Sequence, residues 1–162
     1  MKVCGIVGWK NSGKTFFARK LISYFANQKF NVASIKHAHD DFDIDKPNTD
    51  SFLHRQAGSQ QVIISSSKRW AKISELNTSK EKTLYELIDE LKGPDIVIVE
   101  GFKNEKHAKI EIISDDSDPS NYLFPHLQNV IGIIADLKIE TSTKQFSKNE
   151  IAIIADYILQ RT

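Results

Sequence analysis

A three-layer α/β fold, a mostly parallel sheet with helices on both faces, is what the 162-residue sequence predicts. Two observations carry that expectation. Short apolar runs alternate along the chain with segments of helical apolar spacing, and most runs are apolar at consecutive positions, as strands covered on both faces are. A half-solvated antiparallel strand would alternate instead.

The run KVCGIVG (2–8) reads as a strand closed by glycine, and TFFARKLISYFANQ (15–28) behind it sets Phe16, Leu21, Ile22, Phe25 and Ala26 at helical spacing. NVASIKH (31–37) is the second strand. DSFLHRQAG (50–58) is a short helix with Asp50 as its N-cap and Gly58 just past its end, and QVIIS (61–65) is a third strand. SKEKTLYELIDELKG (79–93) places Leu84, Leu87, Ile88 and Leu91 on one face of a helix capped by Ser79, and leads into the very apolar PDIVIVEGF (94–102). KIEII (109–113) alternates and is expected as an antiparallel edge. NVIGIIAD (129–136) and the helix NEIAIIADYILQ (149–160) complete the set.

With 22 basic and 21 acidic side chains the net charge is +1, so no long-range field draws the chain to nucleic acid or an anionic membrane. Cys4 is the single cysteine, inside an apolar run, and suits a buried strand residue in a reducing, cytoplasmic setting. No stretch approaches the roughly 18 apolar residues of a membrane span, and the apolar run after Lys2 is too short for a signal peptide. One domain over residues 1–162 is expected.

Residues 8–15, GWKNSGKT, match GxxxxGK[ST] at every defined position, between a strand and a helix. Gly8 and Gly13 let the backbone approach an anion, the N–H groups from Asn11 and Ser12 to Thr15 point inward, and the helix N-terminus adds its dipole. Lys14 is expected on the β- and γ-phosphates and the Thr15 hydroxyl on Mg²⁺. This is the phosphate loop of the P-loop NTPase fold. Of the two carboxylates in DIVIVEG, ligands at the carboxyl ends of parallel strands select Glu100. Asp95 lies roughly 16 Å away at about 3.3 Å per residue. Glu100 is therefore expected to hold the metal, directly or through water, or to orient the attacking water.

KHAHDDFDIDKPNTDS (36–51) gathers two histidines and five aspartates after the second strand. A calcium loop fails because Lys46 and Phe52 stand where glycine and a bidentate glutamate are needed. A zinc site from His37 and His39, a solvated acidic loop, and a switch-like segment giving a carboxylate to Mg²⁺ are the other readings, and the last is preferred. Asp50 is its metal-ligand candidate, although the same residue is the best helix cap. Arg69, in SSSKRW after the third strand, suits a second phosphate, or else a contact with Trp70. Asp136 ends a strand where it would read a guanine base or cap the following helix.

The blocks GWKNSGKT, IKHAHDDFDIDKPNTDSFLHRQAGS, SKRW and DIVIVEGFK together closely resemble the molybdopterin-guanine dinucleotide biosynthesis protein B family. The resemblance covers about the first 115 residues. It implies GTP and Mg²⁺ binding with weak hydrolysis, a homodimer, and an adaptor role beside the guanylyltransferase that attaches GMP to molybdopterin, with molybdopterin itself a further candidate partner. It gives Gly8 to Thr15 the nucleotide role and Glu100 the acidic one, and sets Asp50, Ser51 and Arg55 in a family element. Guanine preference follows from the resemblance, since no NKxD segment is present. Slow hydrolysis is expected because neither a glutamine nor an arginine finger lies beside the site in sequence, a lack that costs about 10³ to 10⁵ in rate. Two rival readings are a small-molecule kinase, which would need lid arginines that residues 115–160 lack, and a non-catalytic nucleotide-switch module.

Overall fold

The computed structural model describes residues 1–38, 42–76 and 80–162. In chain order the elements are β1 (Lys2–Val7), α1 (Lys14–Asn27), β2 (Val32–Lys36), α2 (Asp50–Gln56), β3 (Gln61–Ser65) and β4 (Trp70–Ser74), then α3 (Leu84–Asp89), β5 (Ile96–Glu100), β6 (Ala108–Ile112), β7 (Val130–Ile134), β8 (Lys144–Phe146) and α4 (Ile151–Arg161). They form two compact units, one from Met1–His37 with Leu84–Thr162 and one from Ala38–Thr83.

The first unit is built on a six-stranded sheet in the order β2-β5-β1-β6-β7-β8, and every pair is parallel. Phe17, Leu21 and Phe25 of α1 and Ile154 and Ile158 of α4 pack on one face, against Cys4, Ile6, Ile98, Ile110 and Ile112. On the other face Leu84 and Ile88 of α3 cover Val97 and Val99, and Tyr122 packs with Ile113 and Ile133. Helices thus cover both faces of a parallel sheet, the three-layer arrangement that consecutive apolar strand residues demand.

The strand read as an antiparallel edge is instead central. β6 lies between β1 and β7, parallel to both, and its charged residues Lys109 and Glu111 are buried. Alternation there marks a buried polar face, because irregular chain above it offers backbone partners. Lys109 Nζ donates to the carbonyls of His107 and Gln128, at 2.8 and 3.0 Å, and Glu111 accepts from the amides of Leu123 and Phe124. Burial pushes the Glu111 carboxyl up while those two amides pull it down. Short β8 was not anticipated; three residues carry too little pattern.

α3 is shorter than the expected span 79–93, and Leu91 N–H closes a tight turn on Ile88 O beyond it. Its expected cap, Ser79, falls outside the described residues.

In the second unit β3 does not join the parallel sheet. It pairs antiparallel with β4 through a turn in which Ser66 Oγ accepts from the amides of Lys68 and Arg69. A serine that bonds its own neighbours builds this hairpin turn. In α2 the N-cap is Thr49, not Asp50, which is the first helical residue; Gly58 follows at φ +103°. Arg55 Nη2 meets Asp43 at 2.9 Å and Asp45 at 2.6 Å, and its Nη1 meets Glu75 at 2.8 Å. Those carboxylates push the guanidinium further above its already high range.

Candidate phosphate-loop site

Strand polarity places the site. β1, β2 and β5 end side by side, with Ile6 and Lys36 both in register with Glu100. The segment leaving β1 must bend at once into α1, and Gly8 (φ +146°), Asn11 (+66°) and Gly13 (+95°) make the bend. A Cβ on Gly8 would lie 2.6 Å from both Ile112 O and Ser12 Oγ. Gly13 stands at the N-cap of α1 with no side-chain cap, so the first-turn amides are left to another acceptor.

Thr15, the second residue of the helix, donates its hydroxyl to Glu100 Oε1 at 2.8 Å. Lys36 Nζ lies 3.4 Å from the same oxygen, and His37 N–H donates to Glu100 O at 2.8 Å. Gly101 (φ +97°) follows, and a Cβ there would come 2.7 Å from His37 Cβ. Lys14 donates to Trp9 O at 2.6 Å. Burial holds the Lys14 ammonium below its ordinary range, Glu100 opposes that shift, and Lys36 and Lys103 add to it. The Ser12 amide, expected to face an anion, donates to Trp9 O at 3.2 Å, while Ser12 Oγ is buried with no partner among the described residues.

Asp95 sits at the opposite rim, where it accepts Asn31 N–H at 2.7 Å. Asp136 ends the β7 segment with Oδ1 on Lys148 N–H at 3.0 Å and Oδ2 3.3 Å from Lys148 Nζ, so both oxygens serve the turn before α4. Asp50 and Arg69 belong to the second unit. Arg69 lies in the β3–β4 turn, so the reason for setting it at the carboxyl rim of the parallel sheet no longer holds. Of the acidic segment, Asp43 and Asp45 are paired with Arg55, and His37 stacks on Phe102 with ring centroids 4.4 Å apart. His39 and Asp41 fall outside the described residues. Sequence reasoning missed Lys36, whose signal was only its place as the last residue of the second strand.

These residues fit a metal–nucleotide group. Ser12 Oγ lacks a partner among the described residues, the loop is too tight for a Cβ at Gly8, and Lys14 rests on a carbonyl it would exchange for a phosphate oxygen. Thr15 and Glu100 supply the hard oxygens a small divalent cation takes.

The model of the family described as molybdopterin guanine dinucleotide synthesis protein B matches residues 3–136. The chain belongs to this family. It is similar to the molybdopterin-guanine dinucleotide biosynthesis adapter protein of Escherichia coli, 31% identical over 94% of this chain and 88% of that one. The adapter protein of the same description from Haemophilus influenzae is 33% identical over 95% and 85%. In fold it resembles a crystal structure of Bacillus subtilis MobB, with a TM-score of 0.76 at 20% identity over 99% of this chain and 98% of that one. The three-layer α/β fold is thus the fold of the family. No helix among the described residues is long and apolar enough to cross a membrane.

Proposed function

We propose that the chain is a GTP-binding adaptor with slow hydrolysis that assists the guanylyltransferase forming molybdopterin guanine dinucleotide. The observation that carries the reading is the Thr15–Glu100 hydrogen bond, which joins the last position of the phosphate loop to the carboxylate ending β5. Backbone amides and Lys14 hold the phosphates, and Thr15 and Glu100 hold Mg²⁺. The metal, when bound, neutralises charge between phosphates. The other carboxylate oxygen of Glu100 orients a water. Among the described residues no arginine or glutamine pairs with Lys14, Thr15 or Glu100, which supports slow turnover.

Adaptor action as a homodimer draws on the second unit, where the large apolar side chains Phe42, Ile44, Ile63, Ile64 and Trp70 are exposed. A cytoplasmic location belongs to the same proposal.

Binding of a fluorescent GTP analogue with Mg²⁺ by the native protein, its loss in Lys14→Ala, and competition by GTP over ATP are the expected results. Phosphate release measured with and without the guanylyltransferase separates a GTPase from its rivals. Turnover that needs an acceptor molecule would make it a kinase, and none in either condition a switch module. Equal binding by Lys14→Ala would overturn the phosphate-loop assignment.

A further inference from the structure

Glu100 Oε1 serves two groups at once, the Thr15 hydroxyl at 2.8 Å and the Lys36 ammonium at 3.4 Å. A hydroxyl oxygen beside a carboxylate oxygen is a donor set for a small divalent cation, and the ammonium supplies positive charge where such a cation would bring its own. The two partners differ in freedom: the Glu100 side chain is 14% exposed and that of Lys36 63%. A long, solvated lysine stem can swing away at little cost, whereas the largely buried glutamate has little room to follow it. Lys14 is engaged elsewhere, on Trp9 O, and Lys103 stands 5.4 Å over the Trp9 ring. Lys36 is also the last residue of β2, and the next residue, His37, fixes the strand end to Glu100 O through its backbone. A change of partner at Lys36 therefore moves a side chain and leaves the strand in place.

We propose that Lys36 is a resident counter-ion: it holds the Glu100 carboxylate in register before a divalent cation arrives, gives up that oxygen when one binds, and so sets the metal affinity of the loop. The inference rests on the nucleotide reading above and assigns a positioning residue which that reading does not use. Like-charge repulsion between ammonium and metal is the physical cost that tunes the affinity.

The test is a Mn²⁺ titration followed by electron paramagnetic resonance in the presence of a non-hydrolysable GTP analogue, with affinity for the analogue also measured in EDTA. Lys36→Met keeps the stem and removes the charge; Lys36→Arg keeps a cation. Lys36→Met is expected to bind Mn²⁺ about fivefold more tightly than the native protein, on the scale of an exposed ion pair. Lys36→Arg is expected to match the native value, and affinity in EDTA to stay the same in all three. The difference between native protein and Lys36→Met is expected to shrink as salt is raised, which a steric role would not produce. Equal or weaker Mn²⁺ binding by Lys36→Met, or weaker binding of the analogue in EDTA, overturns the counter-ion role and leaves the nucleotide reading standing. Failure of the native protein to bind the analogue under either condition overturns both.

Discussion

His107 should make the protein acid-labile. The ring is buried beside Gly5, where a Cβ would come within 2.3 Å of Nε2, and neither ring nitrogen has a partner among the described residues. Burial, with Lys109 adding to it, pushes its pKa down from 6.5 to about 4. An unfolded chain therefore takes up this proton near pH 6.5 and the folded chain only near pH 4, so the native state loses ground as pH falls between the two values. At 1.36 kcal/mol per unit the full loss is about 3 kcal/mol, of which about 2 kcal/mol falls between pH 7 and pH 5. Urea unfolding at those two values, compared between the native protein and His107→Leu, isolates the effect, because the carboxylates titrate alike in both. The native protein should lose about 2 kcal/mol more than the variant over that interval. Equal losses would mean that the imidazole is protonated as easily in the fold as out of it, and the burial argument would be wrong.

The remaining tests address the loop, the sheet polarity and the second unit. Gly8→Ala puts a Cβ 2.6 Å from Ile112 O and Ser12 Oγ at φ +146°, and should destabilise the fold by about 2–4 kcal/mol in thermal unfolding. An unchanged melting temperature would show that the loop yields freely. Asp95→Asn should leave nucleotide binding intact and cost only about 1 kcal/mol through the bond to Asn31, whereas Glu100→Gln should depress Mg²⁺-dependent phosphate release; the opposite order would refute the assignment by strand ends. Arg55→Met leaves Asp43, Asp45 and Glu75 without their shared cation, so hydrogen exchange should quicken across residues 43–56 while β1 and β5 keep their protection. A uniform change, or none, would count against a local clamp.

What could be read from the chain alone was whatever depends on local periodicity. The apolar runs at 2–8 and 94–102 and the helix behind the first of them are visible because each covers a whole face. Strand polarity then separates Glu100 from Asp95, since in a parallel sheet the two ends of one strand are chemically different places. The errors came where long-range partners override pattern. Lys109 and Glu111 look like a solvated edge until the backbone of residues 123–128 is seen to satisfy them. QVIIS reads like any buried strand, yet the serines after it turn the chain straight back on itself. Asp50 is a better capping residue than Thr49 by type, but the helix begins one residue earlier than type would have it. Lys36 on Glu100 was invisible because a lone lysine at a strand end carries no spacing signal.

Trp9 is tied at both ends. Its carbonyl takes the Lys14 ammonium and the Ser12 amide, and its indole N–H reaches Asn121 O at 2.5 Å, in the 3-10 turn Pro119–Asn121. Any anion that draws the lysine off that carbonyl loosens one tether while the other stays fast, so the residue behaves as a strut between the cradle and a distant bend of the chain. One other tryptophan, Trp70, shares the sequence. With it replaced by phenylalanine, the emission of the remaining indole becomes a label-free gauge of whether the cradle is filled.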